Sequence, residues 1–475
     1  MRTRRQHPCL SSTHLPLAAF SPFSAPILQL KKGSGDWRIW LINDNFWYTL
    51  RSSTVAIIDR VEAGHFLDET LNRYFSGEDL SPLQKGLIHE ITSGVVRWKG
   101  YFDWVLSHYT KADTKKHVRY LLWVSLYQVA FMRKAGYHVV KEAVEYAKKA
   151  HGQRVAGFIN AILRRFMRDV ESGSIDRPGV VHPGRSASLR TLSTLHSFPE
   201  WLVARWLRRF GPSETEKLLS ALNRPPVFTL RIDLKKVQKD EVIRTLEAKG
   251  VNVSPGIFLE SALRVDKLAP VLDDMLFREK LVHIQDEASQ LAGLSLQPEP
   301  GDLVLDACAG LGTKTGQIAE ASDRLRLIAM DNSLARLRSI SRPIHALLAD
   351  ALAPPFRDET FNAILLDAPC SSFGIIRKHP ELKWRRKGED IRHFGDRQLT
   401  MLRALWDRLK TGGRLVYSVC SFEPEETLDV VERFRKERKF VLENPLPFLF
   451  NRDCFVSLPH ESNMDGFFIA RLRKL

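Results

Sequence analysis

From Thr54 to about Val170 apolar residues recur at three- and four-residue spacing. The segments VAIIDRVEAGHFLDETLNRYF, SPLQKGLIHEITSGVVRWKGYFDWVLSHY, VRYLLWVSLYQVAFM, VVKEAVEYAKKA and VAGFINAILRRFMRD each carry this period over lengths typical of a helical bundle. The pattern predicts an all-helical domain over residues 54–170. Residues 171–195 are rich in Gly, Pro and Ser and read as a linker. FPEWLVARWLRRFGPSETEKLLSALN then resumes as helix, and PVFTLRIDLKKVQKDEVIRTLEAKGVNV changes to strand, helix and turn, which predicts a small α+β unit over 196–280. From 281 to 475 short β-type runs, LVLDA, LIAMD, NAILLDA and RLVYSVC, alternate with helical stretches. That alternation predicts an α/β domain with a mostly parallel, doubly wound sheet buried on both faces, and GFFIARL supplies an antiparallel edge strand. The predicted fold class is therefore multidomain: all-α, then a small α+β unit, then a doubly wound α/β domain.

Residues 1–53 fit none of these periods. MRTRRQ followed by LPLAAFSPFSAPILQL mimics a charged, apolar leader, but Pro16, Pro22 and Pro26 interrupt it and no small-residue cleavage site follows. This stretch is expected to be a disordered extension, or sequence upstream of the true start. No run approaches the roughly 18 apolar residues needed to span a bilayer.

Charge narrows the partners. A formal net charge of +16 attracts polyanions, which makes nucleic acid the leading macromolecular partner. In the helical domain Lys85, Arg97, Lys99, Arg154, Arg164 and Arg165, beside Trp98, Tyr101 and Phe102, are expected to form an RNA-facing surface. The five cysteines are scattered, with no CxxC pair, which argues against a disulfide framework and a zinc site and fits reduced thiols in a cytoplasm. His379 has no second ligand at metal spacing, so no metal is expected.

Candidate chemistry sits at the ends of the predicted α/β strands. Cys308-Ala309-Gly310-Leu311-Gly312-Thr313-Lys314 follows one strand and opens a helix; its two glycines let backbone approach a ligand, and the helix amino end favours an anionic group. Asp331, at the end of the next strand, is placed to accept hydrogen bonds from a ribose diol. A phosphate loop ending at Lys314 would need glycine at 308 and 313, where Cys308 and Thr313 stand. Dinucleotide binding leaves two further thiols, Cys370 in DAPCSSFG and Cys420 in YSVCSFEPEE, without a task. Thiols have one in alkylating a pyrimidine. C5 of cytosine is a poor nucleophile until a thiolate adds to C6 and moves electron density onto C5, while an acid near N3 assists and a base later removes the C5 proton. The loop FGIIRKHPELKWRRK brings Arg377, Lys378, Lys383, Arg385, Arg386 and Lys387 around Trp384, cations for phosphates and an aromatic for an unpaired base.

DAPCSSFGIIRKHPELKWRR with YSVCSFEPEE resembles the RNA 5-methylcytosine methyltransferases of the Sun and NOL1/NOP2 family, and HPELKW with the helical amino-terminal domain resembles its bacterial RsmB-type branch. LVHIQDEASQLAG and GFINAILRR add to the likeness, which covers roughly Thr54 to Leu475. The resemblance implies a NusB-like RNA-binding domain joined to a Rossmann-like S-adenosylmethionine domain. It further implies methylation of C5 of a cytosine in 16S ribosomal RNA through a covalent cysteine–C6 adduct. Carried over by position, Cys420 is the nucleophile, Asp367 contacts N3, and Cys370 assists release of the adduct. The methyl donor lies against Cys308 to Lys314 and Asp367, with Asp331 on the ribose and Asp350 near the adenine. By analogy with DNA cytosine methyltransferases, whose Pro-Cys thiol attacks, Cys370 would be the nucleophile instead; the two-cysteine pattern of the RNA family favours Cys420. The chain departs from the family's usual CAAPGGKT turn at Leu311 and Thr313, and Phe373 stands where a small residue is usual. The resemblance implies a cytoplasmic, monomeric enzyme whose partner is small-subunit ribosomal RNA. The rival readings are a transfer RNA or DNA cytosine methyltransferase and a non-catalytic RNA-binding, ribosome-assembly protein.

Overall fold

The computed structural model describes residues 44–110, 114–132, 136–180, 188–340 and 344–475. The expected extension lies mostly outside the described residues, but its end does not: the first helix, Asp44–Glu62, starts well before residue 54 and buries Leu50 and Arg51 completely. Arg51 is accommodated there because its guanidinium donates to Glu142 and to Gln128 Oε1.

The chain divides into two compact units, one of which contains the described residues through Arg224 together with Lys378–Arg386. This first unit is helical. Asp44–Glu62, Leu67–Gly77, Pro82–Tyr109, Lys116–Phe131, Gly136–His151 and Gln153–Glu171 enclose a core that includes Ile57, Ile91, Tyr101, Phe102, Leu121, Trp123, Ile159 and Phe166. Local signals set the ends: Ser81 and Gln84 form a reciprocal capping box ahead of Pro82. Gln153–Glu171 buries Ala156, Ile159, Ile162, Leu163 and Phe166 along one stripe and leaves Arg154, Arg164 and Arg165 exposed on the other face.

The expected RNA-facing set in this unit changes accordingly. Trp98, Tyr101 and Phe102 belong to the core, Arg97 is buried with Nη1 on the Leu222 carbonyl, and Lys99 is paired with Glu62. Helical spacing alone does not tell an aromatic stripe facing the core from one facing solvent. The expected linker also holds structure: Leu189–Leu195 is a helix capped by Ser188, with Leu192 and Leu195 buried. The following helix, Glu200–Asn223, is broken at Gly211 (φ 76°) next to Pro212 and groups with the helical unit.

The second unit comprises Pro225–Arg377 and Lys387–Leu475 among the described residues. It begins with a four-stranded antiparallel sheet of order β2-β3-β1-β4, formed by β1 (Phe228–Ile232), β2 (Val253–Pro255), β3 (Ala262–Val265) and β4 (Val282–Ile284). Helix Lys239–Ala248 packs Val242 and Leu246 onto Leu230, Leu263 and Val282 of that sheet.

The remainder is an eight-stranded sheet of β5 (Leu303–Asp306), β6 (Arg326–Asp331), β7 (His345–Leu348), β8 (Phe361–Asp367), β9 (Leu409–Val419), β10 (Phe440–Glu443), β11 (Cys454–Ser457) and β12 (Phe467–Lys474). β7, β6, β5, β8 and β9 run parallel in that order, and β12 joins β9 antiparallel. GFFIARL is thus antiparallel as expected but not an edge, because β10 and β11 both pair with β12. The sheet is buried on both faces: Leu366 and Tyr417 join one core with Leu402, Trp406 and Phe434, whereas their chain neighbours Leu365 and Val416 join the other with Leu291, Ala292 and Ile318. This two-sided burial explains why the strands read as continuous apolar runs.

Candidate active site

β5, β6 and β8 end on Asp306, Asp331 and Asp367, and β9 ends one residue before Cys420. A parallel sheet aligns these ends, and Asp367 sits in register with Ser418 on the neighbouring strand. Four residues distant in sequence therefore meet along one rim, where ligands of such sheets bind.

The Cys308–Lys314 turn is held by its glycines. Gly310 and Gly312 both adopt left-handed φ (56° and 83°), and a Cβ at 312 would approach Ile340 to 2.8 Å. Gly310 N–H donates to Asp331 Oδ2 and Ser333 N–H to Asp331 Oδ1, each at 2.9 Å, so this carboxylate is fixed at the turn. Asp350 accepts from Leu352 N–H at 3.0 Å. A Cβ built at Gly310 would meet nothing within 4 Å, so the turn faces open space as a cofactor cradle must, and Leu311 is exposed where the family turn carries Pro. Cys308 is partly exposed; burial and the nearby carboxylates, Asp306 first, push its thiol up and keep it neutral. Asp306 is completely buried, with one oxygen accepting from Thr315 Oγ1 at 2.7 Å and the other without a hydrogen-bond partner. Burial, with Asp367 adding, raises it to about 6.

Lys314 extends from this turn to Asp367, Nζ to Oδ2 at 2.6 Å, while Ser418 Oγ donates to Asp367 Oδ1 at 2.7 Å. Burial works against the Lys314 charge, but Asp367 outweighs it and holds the ammonium above its usual value. Beside this pair lie the two thiols, with Cys370 Sγ 3.2 Å from Cys420 Sγ. The Ser372 hydroxyl is 3.5 Å from Cys420 Sγ. The hydrogen bond from Cys370 holds Cys420 below the ordinary thiol value, with Ser372 and Lys314 helping against burial and Asp367. The same bond, together with burial and the Cys420 charge, pushes Cys370 well up. Of the pair, Cys420 is thus the more readily ionised, and it is also the more exposed.

Backbone geometry locks the two loops. Ser372 takes a left-handed φ of 63°, which turns the chain so that Gly374 N–H donates to the Cys420 carbonyl at 3.0 Å and Gly374 O accepts from Gly466 N–H at 2.9 Å. Phe373 is fully buried beneath this turn.

The residues expected to face RNA in the loop after Cys370 behave differently. Arg377 is buried, with its guanidinium on Asn463 Oδ1 and the Pro225 carbonyl. Lys383 is completely buried in the helical unit, with Nζ on Asn223 Oδ1 and 3.9 Å from the centre of the Phe198 ring. The Trp384 indole N–H donates to the Val96 carbonyl at 2.8 Å. Arg385 stacks over Phe66 at 3.9 Å, and Glu381 accepts from Leu67 N–H. Arg377 and Lys383 thus leave the RNA-facing set because they are buried with their polar atoms used in packing; Lys378, Trp384, Arg385 and Arg386 remain partly exposed.

Sequence reading missed the residues that support the thiols, chiefly Glu426 with Ser371, Ser421 and Gln398. Glu426 lies within the quoted CSFEPEE, but nothing in the spacing separates it from Glu423 or Glu425. Among the described residues no helix is long and apolar enough to cross a membrane, and no group of three or more His, Cys, Asp and Glu could hold a metal.

Comparison with known proteins extends the picture along the chain. Residues 293–473 match the family model of 16S rRNA methyltransferase RsmB/F, 49–168 that of the NusB family, and 198–272 the ferredoxin-like domain of RsmF/B-like methyltransferases. Ribosomal RNA small subunit methyltransferase B of Vibrio cholerae is 32% identical over 435 residues, which span 88% of this chain and 96% of its own. A protein of Bacillus subtilis named probable ribosomal RNA small subunit methyltransferase B is 33% identical over 430 residues, 85% of this chain and 94% of its own. Among solved structures, PH0851 aligns with a TM-score of 0.73 at 24% identity, covering 90% of this chain and 99% of its own. NSun6 from Pyrococcus horikoshii, solved with SFG, aligns with a TM-score of 0.54 at 22% identity, covering 59% and 99%. At these identities the structural likeness speaks for the fold.

Proposed function

Because the chain belongs to the RsmB/F family of small-subunit ribosomal RNA methyltransferases, we propose that it methylates C5 of a cytosine in 16S ribosomal RNA, with S-adenosylmethionine as donor and Cys420 as nucleophile. The observation that carries this reading is the thiol pair: the two sulfurs lie 3.2 Å apart, and Cys420, the more exposed, is held below the ordinary thiol value while Cys370 is pushed above it. A thiolate is the species that adds to C6.

In this reading Cys420 Sγ bonds to C6 and electron density moves to C5. N3 gains proton affinity as it does so, and Asp367 contacts it there, passing on a proton that the Lys314 ammonium gives up to the carboxylate. When bound, S-adenosylmethionine supplies an activated methyl group. Gly310 and Gly312 let the backbone approach that cofactor, Asp331 receives the ribose hydroxyls through lone pairs not used by backbone N–H groups, and Asp350 lies towards the adenine. After transfer a water molecule takes the C5 proton, the C5–H pair re-forms the C5–C6 double bond as the Cys420–C6 bond breaks to give back the thiolate, and N3 returns its proton through Asp367 to Lys314, with Cys370 assisting that elimination. The target cytosine must leave its stack to reach Cys420, which favours a loop or a locally opened helix. Arg154, Arg164 and Arg165, exposed on one helix face, are suited to phosphate contacts.

The test is transfer of labelled methyl from S-adenosylmethionine to unmodified small-subunit ribosomal RNA, followed by digestion to nucleosides. Label in 5-methylcytidine is expected. Label found only in transfer RNA would replace the substrate, label on another nucleoside would replace the chemistry, and no transfer to any RNA would favour a binding protein.

A further inference from the structure

The two cysteine loops are tied together by a carboxylate that does not reach the cleft. Glu426 is fully buried, with Oε1 accepting from Ser371 N–H at 2.6 Å and Oε2 from Ser371 Oγ at 2.5 Å and Ser421 Oγ at 2.7 Å. Ser371 and Ser421 are the residues immediately after Cys370 and Cys420. One side chain therefore grips the same position in both loops. The grip is itself supported: Gln398 Nε2 donates to Pro369 O at 2.9 Å and lies 3.4 Å from Glu426 Oε1, while the Tyr417 hydroxyl donates to the Glu426 carbonyl at 2.6 Å. Placing helix Gly388–Trp406 close to this loop requires Gly395, whose added Cβ would lie 2.1 Å from Glu425 O.

A buried carboxylate held only for packing would be an expensive choice, since a charge taken out of water costs several kcal/mol unless hydrogen bonds offset it. Here the accepted bonds come from the two loops whose sulfur atoms must meet. Burial raises the Glu426 carboxyl against the pull of its hydrogen bonds, and when ionised its charge opposes ionisation of Cys370 rather than of Cys420. The ionisable groups around the pair are Lys314 and Asp367 on the Cys420 side, and Glu426 and Tyr417 on the Cys370 side, with Glu423 beside Glu426.

We propose that Glu426 is a positioning residue for the methyl transfer: by clamping Ser371 and Ser421 it keeps the Cys370 S–H on Cys420 Sγ, so that the thiolate resides on Cys420. This rests on Cys420 being the nucleophile, but thiol reactivity can be read without RNA or cofactor.

The full-length protein is treated with iodoacetamide across a pH series, and modification of Cys420 and Cys370 is followed separately by peptide mass spectrometry. In the wild type Cys420 is expected to react first and Cys370 to be protected. Glu426→Gln keeps the shape and removes the charge; the Cys420 midpoint should rise, its rate at neutral pH should fall about tenfold, and Cys370 should gain reactivity. Glu426→Asp, which keeps the charge but shortens the reach to the two serines, should restore the profile only in part. Ser421→Ala, which removes one arm of the clamp, should move the profile in the same direction by less and guards against a Gln variant that does not fold. A lowered melting temperature with unchanged alkylation profiles in Glu426→Gln and Ser421→Ala would reduce Glu426 to a packing role and overturn the proposal. If wild-type Cys370 reacts before Cys420, the nucleophile assignment fails with it. Absence of methyl transfer by a wild type that shows the expected alkylation pattern would remove the reaction reading and leave the clamp standing as a device for thiol ionisation.

Discussion

Cys370 Sγ lies 3.2 Å from Cys420 Sγ, one thiol from the loop after β8 and the other from the loop after the parallel β9. Two thiols at this distance can share one proton, and the surroundings favour ionisation of Cys420 over Cys370. Cys420→Ala should therefore abolish both methyl transfer and covalent capture of RNA. Cys370→Ala should retain adduct formation but slow release, so that an RNA-linked species accumulates on a denaturing gel. Capture retained in the Cys420 variant, or no accumulation in the Cys370 variant, would reverse the two roles.

Asp306 predicts a pH dependence of stability. Its carboxyl is raised from 3.8 to about 6 chiefly by burial. Below about 4 both the folded and the unfolded chain hold this proton. Between about 4 and 6 the unfolded chain releases it while the folded chain keeps it, so folding loses stability as pH rises, by on the order of 3 kcal/mol once the pH exceeds 6. Asp306→Asn should raise the denaturation midpoint at pH 7.5, with the gain disappearing towards pH 4. A gain independent of pH would show that the carboxyl does not titrate in this range.

Gly374 offers a steric test of the thiol loops. A Cβ there would fall 1.8 Å from the Gly466 carbonyl oxygen, which is backbone and cannot swing away. Since Gly374 N–H also donates to the Cys420 carbonyl, Gly374→Ala should destabilise by about 1–3 kcal/mol or more and displace Cys420. Chemical denaturation reads the first effect and thiol alkylation the second.

Lys383 tests which basic residues meet RNA. Burial, with Arg97 and Lys99 adding, holds its amine well below the usual lysine value. Between that lowered value and the free lysine value the unfolded chain carries this proton and the folded chain sheds it, so the residue opposes folding, and the opposition fades as pH rises towards the free lysine value. Lys383→Met should stabilise by about 1–2 kcal/mol at pH 7, less at pH 10, and leave the salt dependence of RNA binding unchanged. Neutralising Arg164 and Arg165 together should instead flatten that salt dependence. A reduced salt slope in the Lys383 variant would return it to the RNA-facing set.

Periodicity and local motif were sufficient for much of this molecule. Threefold and fourfold apolar spacing marked the helices of the first unit because one stripe of each helix must be buried. The continuous apolar runs ending on Asp306, Asp331 and Asp367 marked a parallel sheet because both of its faces are covered, and strand ends in such a sheet share one rim. The chemistry-bearing residues were visible for the same reason: Cys308, Cys370 and Cys420 each stand in the turn that follows such a run.

What required the folded chain is direction and partnership. Trp98, Tyr101 and Phe102 have the composition of an RNA-binding stripe and turn inward, and Lys383 and Trp384 look like a basic, aromatic loop until their hydrogen bonds to Asn223 and Val96 are seen. Which of two cysteines ionises depends on a sulfur 50 positions away, an ammonium from another loop and a buried carboxylate. Residue type and spacing record what a side chain can do along its own element. The sign and size of an electrostatic effect depend on distances through space, and those arise only when strands and loops remote in the chain are packed side by side.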